Sequence, residues 1–259
     1  MNRTRLSLFF LAGFLSAAAF LAVGKQVLAQ TEKKPAEPPK SGKPTPTTGG
    51  VGFAPVYKPP LRGAPSGRVG GGTRGGPSGT DHPLVLSVLT PDHVGLTTQE
   101  QPSLYWYTSQ PTTYPIELTV TENEAVNPMI EKRIGSPSQA GIQQIRLVDY
   151  GVRLKTGSVY RWYIAVVPDP DVRSKDILAG GSIERIEPTE ALRARLSHAS
   201  KAELPSVYAE QGIWYDALSA ISDMIDADPS NASLHAERAA LLEQVRLQEA
   251  AAFDRSAAR

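Results

Sequence analysis

Four histidines, His82, His93, His198 and His235, are the side chains best suited to acid–base or metal chemistry near neutral pH, and they lie far apart in the chain. None sits at a metal-ligand spacing from another donor. Cysteine is absent, which removes disulfides, thiolate metal sites, cysteine nucleophiles and a lipoprotein anchor. No Gly-x-Ser-x-Gly elbow occurs. Two acidic stretches remain. Asp169-Pro-Asp171-Val-Arg173-Ser-Lys-Asp176 supplies fewer converging oxygens than calcium requires, so a turn held by Asp side chains on local amides is expected. Asp226-x-Asp228-Pro229-Ser230-Asn231…Glu237 has oxygens at EF-hand places, but Asn231 stands where the turn glycine belongs and Pro229 intrudes. A helix stop, a turn and a cap account for the same residues. No metal, cofactor or catalytic residue is assigned. A carboxylate pair assembled from distant residues stays open, which keeps a glycan hydrolase as the alternative.

Binding chemistry has two candidates. Arg62, Arg68 and Arg74 recur every six residues through a Pro/Gly-rich stretch. The glycines there resemble a phosphate loop only weakly, because no Lys-Ser/Thr, strand or helix brackets them. An arm seeking acidic glycans or headgroups, or one lying on the protein's own acidic body, fits the charge better. Nucleic acid is disfavoured, since interleaved aromatics for base stacking are missing. The second candidate is Tyr105, Tyr107 and Tyr163. They alternate with Trp106 and Trp162, and would form an aromatic contact face for a glycan if exposed, or the bed for a docked helical segment if covered.

The elements that would position these residues follow in order. Met1–Gln30 reads as a Sec-type signal peptide, with Arg3 and Arg5, an apolar Leu6–Val23 and a cleavage site after Ala29. The alternative is a retained anchor, which would then be the protein's only membrane contact. Export to the periplasm or outer envelope is expected either way. Residues 30–80 carry net charge +6 and are expected to be a disordered Pro/Gly-rich linker. Residues 81–259 carry net charge −8, so a basic arm joins an acidic body.

Seven candidate strands between residues 81 and 187 are Leu84–Leu89, Ser103–Thr108, Ile116–Glu122, Met129–Ile134, Ile142–Val148, Ser158–Val167 and Ser182–Glu187. Leu154-x-x-Gly157-x-x-Tyr160 followed by Trp162 resembles the tyrosine corner of immunoglobulin-like and fibronectin-like sandwiches. The fold expected is an antiparallel β-sandwich with Trp106 and Trp162 inside. Residues 188–248 turn helical: Thr189 caps one helix, and a helix from Ser233 follows a resemblance to a single tetratricopeptide repeat. Tyr208, Gly212, Trp214, Ala217, Ile221 and Pro229 carry that resemblance, although Lys201 stands where tryptophan is usual. One repeat cannot close a core, so these helices should pack as a small cap. Residues 249–259 are expected to fray.

Several of these stretches together resemble a secreted cyanobacterial family grouped as domain of unknown function 928. They are Arg62-Gly-Ala-Pro65 with Gly70–Gly75, Pro102–Tyr107, Tyr160–Tyr163, Asp169–Ser174 and Tyr208–Leu218. The resemblance implies an exported sandwich-plus-helix architecture and no reaction. Members often carry a cysteine before the first strand and another before the Asp-Pro loop. His82 and Pro168 hold those places here, as loss of one cross-link would leave them. The function expected is non-catalytic: a cell-envelope protein binding a protein or glycan partner, with a purely structural scaffold as a further alternative.

Overall fold

The computed structural model describes residues 54–60, 68–70, 83–123 and 125–257. The expected signal peptide, Arg62, Arg74 and His82 lie outside the described residues. Nine strands occur among those described: β1 Val69–Gly70, β2 Leu86–Val88, β3 Gly95–Thr97, β4 Ser103–Thr108, β5 Ile116–Glu122, β6 Ile130–Ile134, β7 Gly141–Arg146, β8 Val159–Val166 and β9 Ile177–Arg185. Five helices follow: α1 Glu190–His198, α2 Leu204–Glu210, α3 Trp214–Ala227, α4 Ala232–Gln244 and α5 Gln248–Ala257. The larger sheet runs β1-β9-β8-β5-β6, with β3 added parallel to β9, and the smaller is β2-β4-β7. All other pairings are antiparallel.

β8 organises the larger sheet. Tyr160, Trp162, Ile164 and Val166 alternate inward and are buried, while Arg161 faces out. Ile164 stands opposite Leu118, and Trp162 opposite Val120, so register and core are set together. The Tyr160 hydroxyl accepts from the Lys155 amide at 2.9 Å, which lets the ring be buried with its polar tip bonded. Gly157 supplies the left-handed turn beneath it, at φ 78°.

β4 is buried on both faces. Tyr105 reaches Ser219 of α3, and the Tyr107 ring tilts against Phe253 of α5 at 5.7 Å. Alternation leaves Leu104 and Trp106 for the larger sheet. The smaller sheet is therefore a middle layer between the larger sheet and the helices. The three tyrosines do not form one exposed row: Tyr163 belongs to the other sheet, and Tyr105 and Tyr107 lie under helices that need apolar area to dock against. The final strand also starts at Ile177 rather than Ser182. Gly180 and Gly181 stay in it because added methyl groups would fall 2.2 Å from the Tyr163 ring and 2.3 Å from Thr90.

Two pieces of the stretch expected to be disordered lie on the body instead. Tyr57 is buried, edge-on to Trp214 at 5.0 Å and stacked on His93. Its amide donates to Gln244, which donates in turn to the Pro55 carbonyl, both at 2.8 Å. The Lys58 amide donates to the Ala209 carbonyl at 3.0 Å. Further on, Val69 and Gly70 pair with β9. One aromatic ring and a few backbone bonds hold a chain whose average composition reads as linker. The expected frayed tail is also a packed helix: Ala250, Ala251 and Asp254 of α5 are buried.

Candidate functional site

The helices are fixed to the sheets at the start of α3. Trp214 Nε1 donates to the Leu89 carbonyl at 2.8 Å. Trp162 Nε1 donates to the Tyr215 hydroxyl at 2.9 Å, and that hydroxyl lies 3.1 Å from both Thr90 Oγ1 and the Ser182 carbonyl. The carbonyl can only accept, so Tyr215 spends its proton there and the Thr90 hydroxyl turns to donate. Burial pushes the Tyr215 phenol up to about 12. Gly95 is required where β3 passes this ring, because a methyl group would sit 2.6 Å from it.

One residue on, Asp216 is buried and ties α3 to the end of β3. It accepts from Thr97 Oγ1 at 2.5 Å, from the Thr98 amide at 3.0 Å and from the Thr98 hydroxyl. Desolvation holds its carboxyl above the ordinary range, against the pull of these donors. The tie positions the loop between β3 and β4, whose Gln99 and Gln101 form one wall of a groove of about 500 Å³ together with Ser103 at the start of β4. Lys201, Leu204 and Tyr208 form a second wall, and a stripe along α3 (Asp216, Ser219, Ala220, Asp223, Met224, Ala227) forms the floor. That spacing of three and four puts the stripe on one face. Trp214, Ala217, Leu218, Ile221 and Ile225 of the same helix are buried. Partial desolvation, with Asp226 alongside, raises the Asp223 carboxyl, and burial with Asp216 nearby raises the Tyr208 phenol. Beside the groove Gln144 donates to the Tyr105 hydroxyl at 2.9 Å and to Ser103 Oγ at 3.2 Å. Tyr105 thus approaches the groove through its hydroxyl, not its ring face.

The residues singled out from sequence are scattered. Arg68 donates to the Thr90 carbonyl at 2.9 Å and the Val245 carbonyl at 3.2 Å, and pairs with Asp92 at 3.4 Å. It serves the protein's own body. The Asp169 carboxylate accepts from the Asp171 amide at 3.1 Å and pairs with Lys175, a local turn. Asp228 accepts from Ser230 and Asn231, and Asn231 caps α4 through the Ser233 and Leu234 amides. Among the described residues no cluster of three or more His, Asp or Glu could hold a metal ion. Gly212 turns between α2 and α3 at φ 73°, with the Lys58 carbonyl 2.7 Å from where a methyl group would be.

Two features escaped the sequence reading. The groove stripe on α3 was legible as small and polar residues at helical spacing opposite the apolar face. The second had only a helix-long signal. Asp254 of α5 accepts from Arg238 at 2.7 and 2.8 Å and faces His235 Nδ1 at 2.6 Å, while Arg238 also donates to Ser222. All four are buried, locking α3, α4 and α5 together.

The molecule is thus a two-sheet β structure with a helical layer on the smaller sheet and a polar-walled groove where loop and helices meet. The chain belongs to the family described as Domain of Unknown Function (DUF928), whose model matches residues 69–254. No curated protein matches it significantly.

Proposed function

We propose that this is an exported cell-envelope interaction protein that holds an extended segment of a partner protein in the groove between α2, α3 and the Gln99–Ser103 loop, without catalysing a reaction. One observation carries this reading: the groove is concave and walled by amides and hydroxyls, and its floor is tied to the loop wall through Asp216. We read the sandwich as fibronectin-like, on its three-strand and β9-β8-β5-β6 sheets and its tyrosine corner, and the α2–α3 pair as tetratricopeptide-like. That helix pair commonly presents a concave face to peptides. Its groove carboxylates, Asp216 and Asp223, are seven residues apart on one helix, about 10 Å along the axis. Both oxygens of Asp216 are engaged, which suits neither geometry of a glycoside hydrolase. Export rests on the Arg3/Arg5 start and the apolar Leu6–Val23 run.

The test is co-sedimentation of the purified full chain with isolated envelope. Ala220→Trp fills the groove floor from a half-exposed position, so retention should fall while the melting temperature holds. Undiminished retention of that variant would place binding elsewhere.

A further inference from the structure

The groove has a charge pattern that its role in folding does not explain. Asp223, which lines the groove, and Asp226 beside it stand near the C-terminal end of α3, whose last turn contains no basic residue. Acidic side chains near a helix C-terminus oppose the macrodipole, so this placement costs stability. No cation is among the groups acting on Asp223, whereas burial and the neighbouring Asp226 are. The one cation among the groove's lining residues, Lys201, is not among the groups acting on Asp223. Leu204 and Met224 give an apolar bed, and Gln99 and Gln101 offer both donors and acceptors to an extended backbone.

Building on the groove reading above, we propose that the occupant is a partner peptide that lays an apolar side chain on Leu204 and Met224 and points a lysine or arginine at Asp223 and Asp226. Charge complementarity selects this class: the cation neutralises carboxylates that now repel each other and meets the carbonyl end of α3. The acidic body, with 24 acidic against 16 basic residues from 81 to 259, adds long-range attraction of the same sign.

The experiment uses the full chain with labelled methionine methyl groups. Met224 reports on the groove, and exposed Met129 serves as the control. Three probes are titrated: a blocked five-residue peptide bearing one leucine and one lysine, its twin with glutamate for lysine, and an N-acetylglucosamine oligomer. The expected result is a Met224 shift with the lysine peptide alone, weakened about tenfold by Asp223→Asn and by moderate salt. Equal response to the glutamate twin, or indifference to Asp223→Asn, would overturn the cation assignment while leaving a peptide groove. A response to the sugar oligomer alone would overturn the peptide. Binding that survives Ala220→Trp would overturn the groove itself.

Discussion

Tyr215 joins the helices to the sheets and Asp254 joins the helices to one another, and each predicts a measurable loss. Tyr215→Phe removes the oxygen that Trp162 Nε1 donates to and the proton that the Ser182 carbonyl accepts. Buried groups left unpaired cost about 1–3 kcal/mol each, so the chemical-denaturation midpoint should fall by that order with little change in slope. The same phenol sets an alkaline limit. Its value rises from 10.0 unfolded to about 12 folded, so the unfolded chain loses its proton first. The stability this contributes is full below pH 10 and fades as pH rises to about 12, by roughly 2–3 kcal/mol. Denaturation at pH 9 and pH 12 should show the fall, and Tyr215→Phe should remove part of it, since burial raises the Tyr57 phenol as well. Asp254 is the second residue. Asp254→Ala leaves buried Arg238 without its carboxylate and should cost about 3–5 kcal/mol. Adding Arg238→Met should recover part of that loss, a non-additivity that a double-mutant cycle measures directly.

Among the elements, the strap of residues 54–60 is where composition and packing disagree. Proline and glycine dominate its neighbourhood, and an averaged reading of residues 30–80 gives a linker. Yet Tyr57 fills a slot beside Trp214 and His93. Tyr57→Ala should cost about 3–5 kcal/mol, the scale of large aromatic truncations, and should speed amide exchange around Gly212, where the strap crosses. Strands rich in aromatic and β-branched residues were legible: β4 and β5 fall at the expected residues. β3 was not, because three residues pairing in parallel with a distant strand leave no periodic signal. α5 was not legible either, since its alanine-rich face looks weakly apolar until Asp254 finds Arg238. The family was carried by local motifs and could be read directly. The groove could not, because its walls come from residues a hundred positions apart.

For the whole molecule, the smaller sheet acts as a partition. One of its faces packs on the larger sheet and the other seats the helices, so β4 is buried from Leu104 to Thr108 and its tyrosines serve packing. The groove exists because this seating stops short at the β3–β4 loop, where amide and hydroxyl side chains line the gap. The most direct measurement is hydrogen–deuterium exchange on the full chain, free and bound to isolated envelope. Slower exchange confined to residues 99–103 and 201–227 is the result predicted. Protection on the outer face of the larger sheet, with those two stretches unchanged, would contradict the account.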